Sequence, residues 1–192
     1  MNDLCSSSWT LSKGNEAIKT SLSDATQQQF TQWSREGRLV RLDQAVAAIS
    51  LYGAGNHAVQ IRNMFFTVTR RAAPLRGERL APPIGCGGGS PSPAAIAVNL
   101  DAIAVGRTVS LNTLRASPRQ KAAQATADQY GVPLVLPRTL TNDDYYTFYV
   151  IGLTQHYDCS WKATLVWWDG GKQHQTTVDD NGADFRMTAR AR

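Results

Sequence analysis

Trp161-Lys162-Ala163-Thr164-Leu165-Val166-Trp167-Trp168-Asp169-Gly170-Gly171 is the stretch that decides the fold. Trp161, Ala163, Leu165 and Trp167 alternate with Lys162, Thr164, Val166 and Trp168, the period of a strand with one face in a core. Asp169-Gly170-Gly171 then supplies the residues a tight hairpin turn demands, and Gln173 to Val178 reads as the returning strand. Asp179-Asp180-Asn181-Gly182 turns the chain again before a last strand, Ala183 to Thr188. Just upstream, Tyr145 to Leu153 is rich in aromatic and β-branched residues, which suit a pleated, half-buried surface.

The longest β signal is Val59 to Arg70. Val59 and Ile61 alternate in one phase, and Met64, Phe66 and Val68 in the other. The phase change at Arg62-Asn63 predicts one extra residue, as a bulge or as a corner where the strand changes sheets. Before it, 45 to 52 reads as a strand closed by Gly53-Ala54-Gly55-Asn56. After it, the Pro and Gly residues across 72 to 93 forbid regular structure apart from a short edge strand near Glu78 to Ala81. Ile96, Val98 and Leu100 mark one face of a strand over 96 to 101. Residues 106 to 131 read as a polar loop with a helix-capable stretch, Ala122 to Tyr130, and Val132 to Leu136, interrupted by Pro133, as an edge strand. Six to nine strands without a long helix predict an all-β fold, an antiparallel, immunoglobulin-like β-sandwich over residues 45 to 192. Residues 1 to 44 read as an irregular or partly helical N-terminal arm, with a helical turn pinned by Trp33 and ended at Gly37.

Composition agrees with one packed unit. The chain has 192 residues, 42% hydrophobic and only 18% charged, below the soluble average of about 25%, which excludes global disorder. No window reaches the 18 or more apolar residues of a membrane-spanning helix, and no basic-then-apolar leader opens the sequence. The net charge is +5, from 20 Lys and Arg against 15 Asp and Glu. Fifteen of the 20 are Arg, whose planar fork suits carboxylate and phosphate. Arg70, Arg71, Arg76 and Arg79 sit together in and after the long strand. They are not interleaved with exposed aromatics, so nucleic-acid binding is not the expectation.

Cys5, Cys86 and Cys159 allow three pairings or none. A Cys beside a core Trp suits a sheet-to-sheet disulfide, and a Cys86 to Cys159 bridge would close a loop of about 70 residues and contribute roughly 4 kcal/mol in the chain-entropy model. A bridge through Cys5, or three reduced thiols, stays open. No two Cys or His share a ligand-like spacing, so neither a metal nor another cofactor is expected, and His57, His156 and His174 are scattered. Asp179 to Asp184 gathers hard oxygen donors of the kind calcium takes, but Asn-Gly between strands is first a hairpin signal, and Asp satisfies turn backbone. Gly85 to Ser90 lacks the helix that a phosphate-cradling loop opens, because Pro91 and Pro93 follow. With Trp161 and Trp167 inward, Trp168 points outward, and with Tyr149 it offers an aromatic contact surface.

Several elements occur together: Leu4-Cys5 with Trp9, Trp33 before a Gly, Arg70-Arg71-Ala72-Ala73-Pro74-Leu75-Arg76-Gly77, Gly85-Cys86-Gly87-Gly88, Asn99-Leu100-Asp101, Asp158-Cys159-Ser160-Trp161, and Val178 through Thr188. In that order they resemble a group of uncharacterised β-rich domain proteins of high-GC Gram-positive bacteria, often found behind a membrane anchor. The resemblance implies a fold and an extracytoplasmic or cell-surface location, but no activity and no catalytic residue. Where that group often has Cys-x-Cys-x-Trp, this chain keeps only Cys159 before Trp161. The expectation is a non-enzymatic interaction module that binds a protein partner through Trp168, Tyr149, Arg70, Arg71, Arg76 and Arg79. The alternative is a sandwich binding carbohydrate or another small ligand, with a metal-assisted hydrolase behind it.

Overall fold

Gly170 and Gly171 both take positive φ, 52° and 87°, the mirror-image turn that matches strand twist. They join the strands expected on either side of them. The computed structural model describes residues 8–22, 24–53, 57–80, 94–142 and 144–191. Its strands are β1 (Ser8–Leu11), β2 (Leu39–Leu42), β3 (Gln44–Tyr52), β4 (Val59–Ala72), β5 (Ala94–Asn99), β6 (Thr108–Ser110), β7 (Val132–Pro133), β8 (Arg138–Leu140), β9 (Tyr145–Leu153), β10 (Asp158–Asp169), β11 (Lys172–Val178) and β12 (Phe185–Thr188). Its helices are α1 (Ala17–Ser21), α2 (Gln27–Arg35), α3 (Leu111–Arg115) and α4 (Pro118–Ala127). None is long and apolar enough to cross a membrane.

The protein is β-rich, with two sheets. The larger runs β1-β2-β12-β10-β4-β6, with β11 also on β10 and β8 also on β4; the smaller runs β3-β9-β5-β7. The expectation of a purely antiparallel sandwich is corrected here, because β12 pairs parallel with β2, and β5 pairs parallel with both β9 and β7. The parallel strand β5 is buried on both faces from Ala94 to Val98, as parallel strands covered on both sides are. Ala95 and Ala97 are small enough to let α4 lie over the outer face, where they meet Ala123 and Ala127. Helix α4 starts at Pro118, whose missing N–H costs nothing in the first turn. It takes up part of the stretch expected to be loop.

The core between the sheets is centred on Trp161, fully buried, with Phe185 at 4.8 Å and Phe66 at 6.4 Å between ring centroids. Gly152 opposes it: a Cβ there would stand 2.9 Å from the indole. The phase change in β4 is a bulge, not a corner: Val166 faces Asn63 and Trp167 faces Ile61, leaving Arg62 as the extra residue. Residues 8–42, read as an arm, add β1 and β2 to the large sheet and carry their own cluster of Trp9, Ile18, Leu22, Phe30, Trp33, Leu39 and Leu80. Thr26 and Gln29 cap α2 reciprocally, and Gly37 follows it at φ 67°.

Candidate functional site

Among the described residues, strand β11 forms no ladder except with β10. Its seven residues, Lys-Gln-His-Gln-Thr-Thr-Val, are mostly exposed and contain neither proline nor a bulge, the devices that usually blunt a sheet edge. β12 lies on the same side of β10, farther along it, so Asp179 to Asp184 is an excursion between two collinear strands. The tight turn read at Asn181-Gly182 is present, with φ of 56° and 90° and an Asp180–Ala183 bridge, but the strands it links pair with β10 and not with each other. Its carboxylates serve the chain locally: Asp179 accepts from Gly182 N at 2.9 Å, and Asp184 accepts from Thr69 Oγ1.

Beside β11 the two sheets splay apart. A cleft of about 460 Å³ opens between Ile49 and Leu51 of β3 on one wall and Ile61, Leu165, Trp167 and Val178 on the other, with Leu140 at its end. Trp167 stands at its rim. Its ring stacks on His174 at 4.3 Å and 18°, and its Nε1 donates to Thr176 at 3.1 Å. Tyr52 and Tyr145, paired across β3 and β9, are both exposed near the mouth.

The residues expected to bind do not form one surface. Trp168 is half-buried on the opposite face of β10 from Trp167, and Arg62, pushed out by the bulge, lies 5.1 Å over its ring. Tyr149 belongs to the small sheet, where it meets Tyr130 edge-on at 6.5 Å beside α4. Arg70 donates to the buried Asp158 at 3.1 Å. Arg71 donates to the carbonyls of Leu100 and Ile103 at 2.8 and 2.6 Å and covers Tyr157 at 4.5 Å. Both are therefore held within the fold, while Arg76 and Arg79 are exposed and Arg79 donates to Ser8 Oγ at 2.9 Å.

Cys86 and the Gly85 to Ser90 run lie outside the described residues. Among the described residues Cys159 is a free, fully buried thiol, and the expected pairing with Cys86 lies outside them. Burial pushes this thiol's pKa up, against lowering by Thr154 and Arg71.

Sequence reading missed the Trp167–His174 stack, although the hairpin held the signal. With Asp169 opposite Lys172 across the Gly-Gly turn, counting back two residues on each strand puts Trp167 opposite His174. No protein-family model, curated protein or solved structure matches the chain, so the reading of the site rests on its own residues.

Proposed function

We propose that the protein is a non-enzymatic binding module that takes an extended segment of a protein partner along the edge of β11. The open seven-residue edge of β11 beside an apolar cleft carries this reading. An added strand would gain main-chain hydrogen bonds from β11, while every second side chain could turn toward the cleft. The chemistry asks for a partner segment with alternating apolar residues and no proline. Trp168, one strand farther in on the opposite face, would be reached by long side chains pointing the other way.

The test is a selection of extended peptides by display, followed by amide hydrogen exchange on the complex. Protection gained over Gln173 to Thr177, and weakened binding in Trp167→Ala, is the expected result. Selected peptides that leave those amides unprotected would overturn the reading. The second reading, a ring-bearing ligand such as a sugar, is favoured by the half-buried Trp167–His174 stack at the cleft rim. It would shift those two side chains in a titration without protecting the β11 backbone.

A further inference from the structure

Far from β11, at the opposite end of the small sheet, β5 and β9 run parallel side by side. From β5 the chain passes through α4 to β7 on one side, whereas β9 lies on the other. The connections therefore diverge, and the crevice beyond the carboxyl ends of such strands is where open sheets with parallel strands bind ligands. A cavity of about 540 Å³ lies there, between the loop after β9 and the face of α4 from Arg119 to Thr126, a volume in the range of small-molecule sites.

Two of its walls meet at a carboxylate. Asp101, two residues past β5, accepts from Thr154 Oγ1 at 2.6 Å and Gln155 N at 2.8 Å, and its Oδ2 lies 3.0 Å from His156 Nδ1. An ionised carboxylate only accepts, so Nδ1 carries the ring proton and Nε2 is left as an acceptor for a donor on the ligand. Asp101 is thereby fully engaged by three donors of its own chain. Arg119 lines the same cavity and takes part in no ion pair among the described residues. It stands in the first turn of α4, where the helix dipole disfavours a cation, so helix stability does not account for it.

We infer that this cavity is a second binding site, for a small molecule bearing an oxyanion and a neighbouring hydroxyl, with the Arg119 guanidinium holding the anionic group and His156 Nε2, its ring oriented by Asp101, accepting from the hydroxyl. The site is independent of the strand-addition edge. Phosphate and carboxylate share the chemistry that a guanidinium recognises, and separate titrations distinguish them.

The experiment titrates the intact chain with inorganic phosphate and, separately, with acetate, at ionic strength held constant with sodium chloride, following the His156 ring and the Gln155 amide by NMR. Saturable shifts with either anion are expected; phosphate alone, or both, assigns the anionic group. Arg119→Gln should weaken binding about tenfold or more, as loss of a hydrogen bond to a charged group does, without lowering Tm. His156→Gln should weaken it less, and Lys172→Gln, at the far end of the molecule, should leave it unchanged. Shifts that persist undiminished in Arg119→Gln, shifts matched by chloride alone, or no saturable shift with either anion would each overturn the proposal.

Discussion

At the first residue of β10, Asp158 is 1% exposed and accepts from Arg186 Nε at 3.1 Å, Arg186 Nη2 at 2.8 Å and Arg70 Nη1 at 3.1 Å. At the other end of the same strand, Trp167 leans half-buried on His174 beside a cleft. The first end is closed by directional bonds among β4, β10 and β12, so its geometry has few alternatives. The second is paired with β4 on one side, but on the other the Trp167 side chain makes its stack and hydrogen bond within the β10–β11 hairpin, whose outer edge is open among the described residues. Rigidity and availability are thus separated along one strand: the charged end fixes the sheet order, and the aromatic end is free to meet something else.

The largest effect should come from breaking the closed end. Asp158→Ala removes the shared acceptor of two guanidinium groups, and the loss of one partner from a buried ion cluster costs about 3–5 kcal/mol. Arg70 is half exposed and can rehydrate, so the cost should fall near the low end, about 3 kcal/mol. Denaturant unfolding would check this. Asp158→Asn keeps the shape and should lose roughly half as much, because charge-assisted bonds are about twice as strong as neutral ones. A cost below about 1 kcal/mol for the alanine variant would mean that the two ends do not differ as described.

At the open end, Trp167→Ala should cost only about 1–2 kcal/mol, below the 3–5 of a fully buried Trp, since part of the ring already faces solvent. Thermal or denaturant melts would give that figure, and the peptide selection described above would give the accompanying loss of binding. A cost as large as that of Asp158→Ala would mark the cleft as part of the closed core and weaken its reading as a binding surface.

The same contrast explains what the sequence made legible. The open end could be read because a period-2 strand and a Gly-Gly turn are local signals, and strands 59 to 70 and 145 to 153, and the bulge at Arg62, emerged in the same way. The closed end could not. Asp158 meets Arg70 across 88 positions and Arg186 across 28, and Asp101 meets His156 across 55. Without the order of strands, nothing marks these residues as neighbours, and a lone His and a lone Asp read as scatter. The parallel pairing of β5 was hidden for a related reason. Ala95 and Ala97 gave its second face a small apolar side that contributes little to periodicity, and only the helix lying on them identifies that face as buried.

Cys159 gives the smallest and most local test of the closed end. Its side chain is fully buried, with Sγ 4.0 Å from Thr154 Oγ1, and burial is the leading reason its pKa is raised. The neutral thiol is therefore the form the fold prefers. A folded-state pKa above that of the unfolded chain means that this contribution is fully present below the unfolded value of about 8.5 and is lost as pH rises through the folded value. Tm should accordingly fall at pH values above about 8.5 in the parent chain. In Cys159→Ala, which cannot ionise there, that fall should be smaller. Alkylation at pH 8 followed by peptide mapping should leave Cys159 unmodified until denaturant is added, because a thiol that is both protonated and covered is a poor nucleophile. Native-state labelling at the rate of the unfolded chain would mean that the start of β10 opens as readily as its finish, and the separation of a fixed end from an available one would then have to be given up.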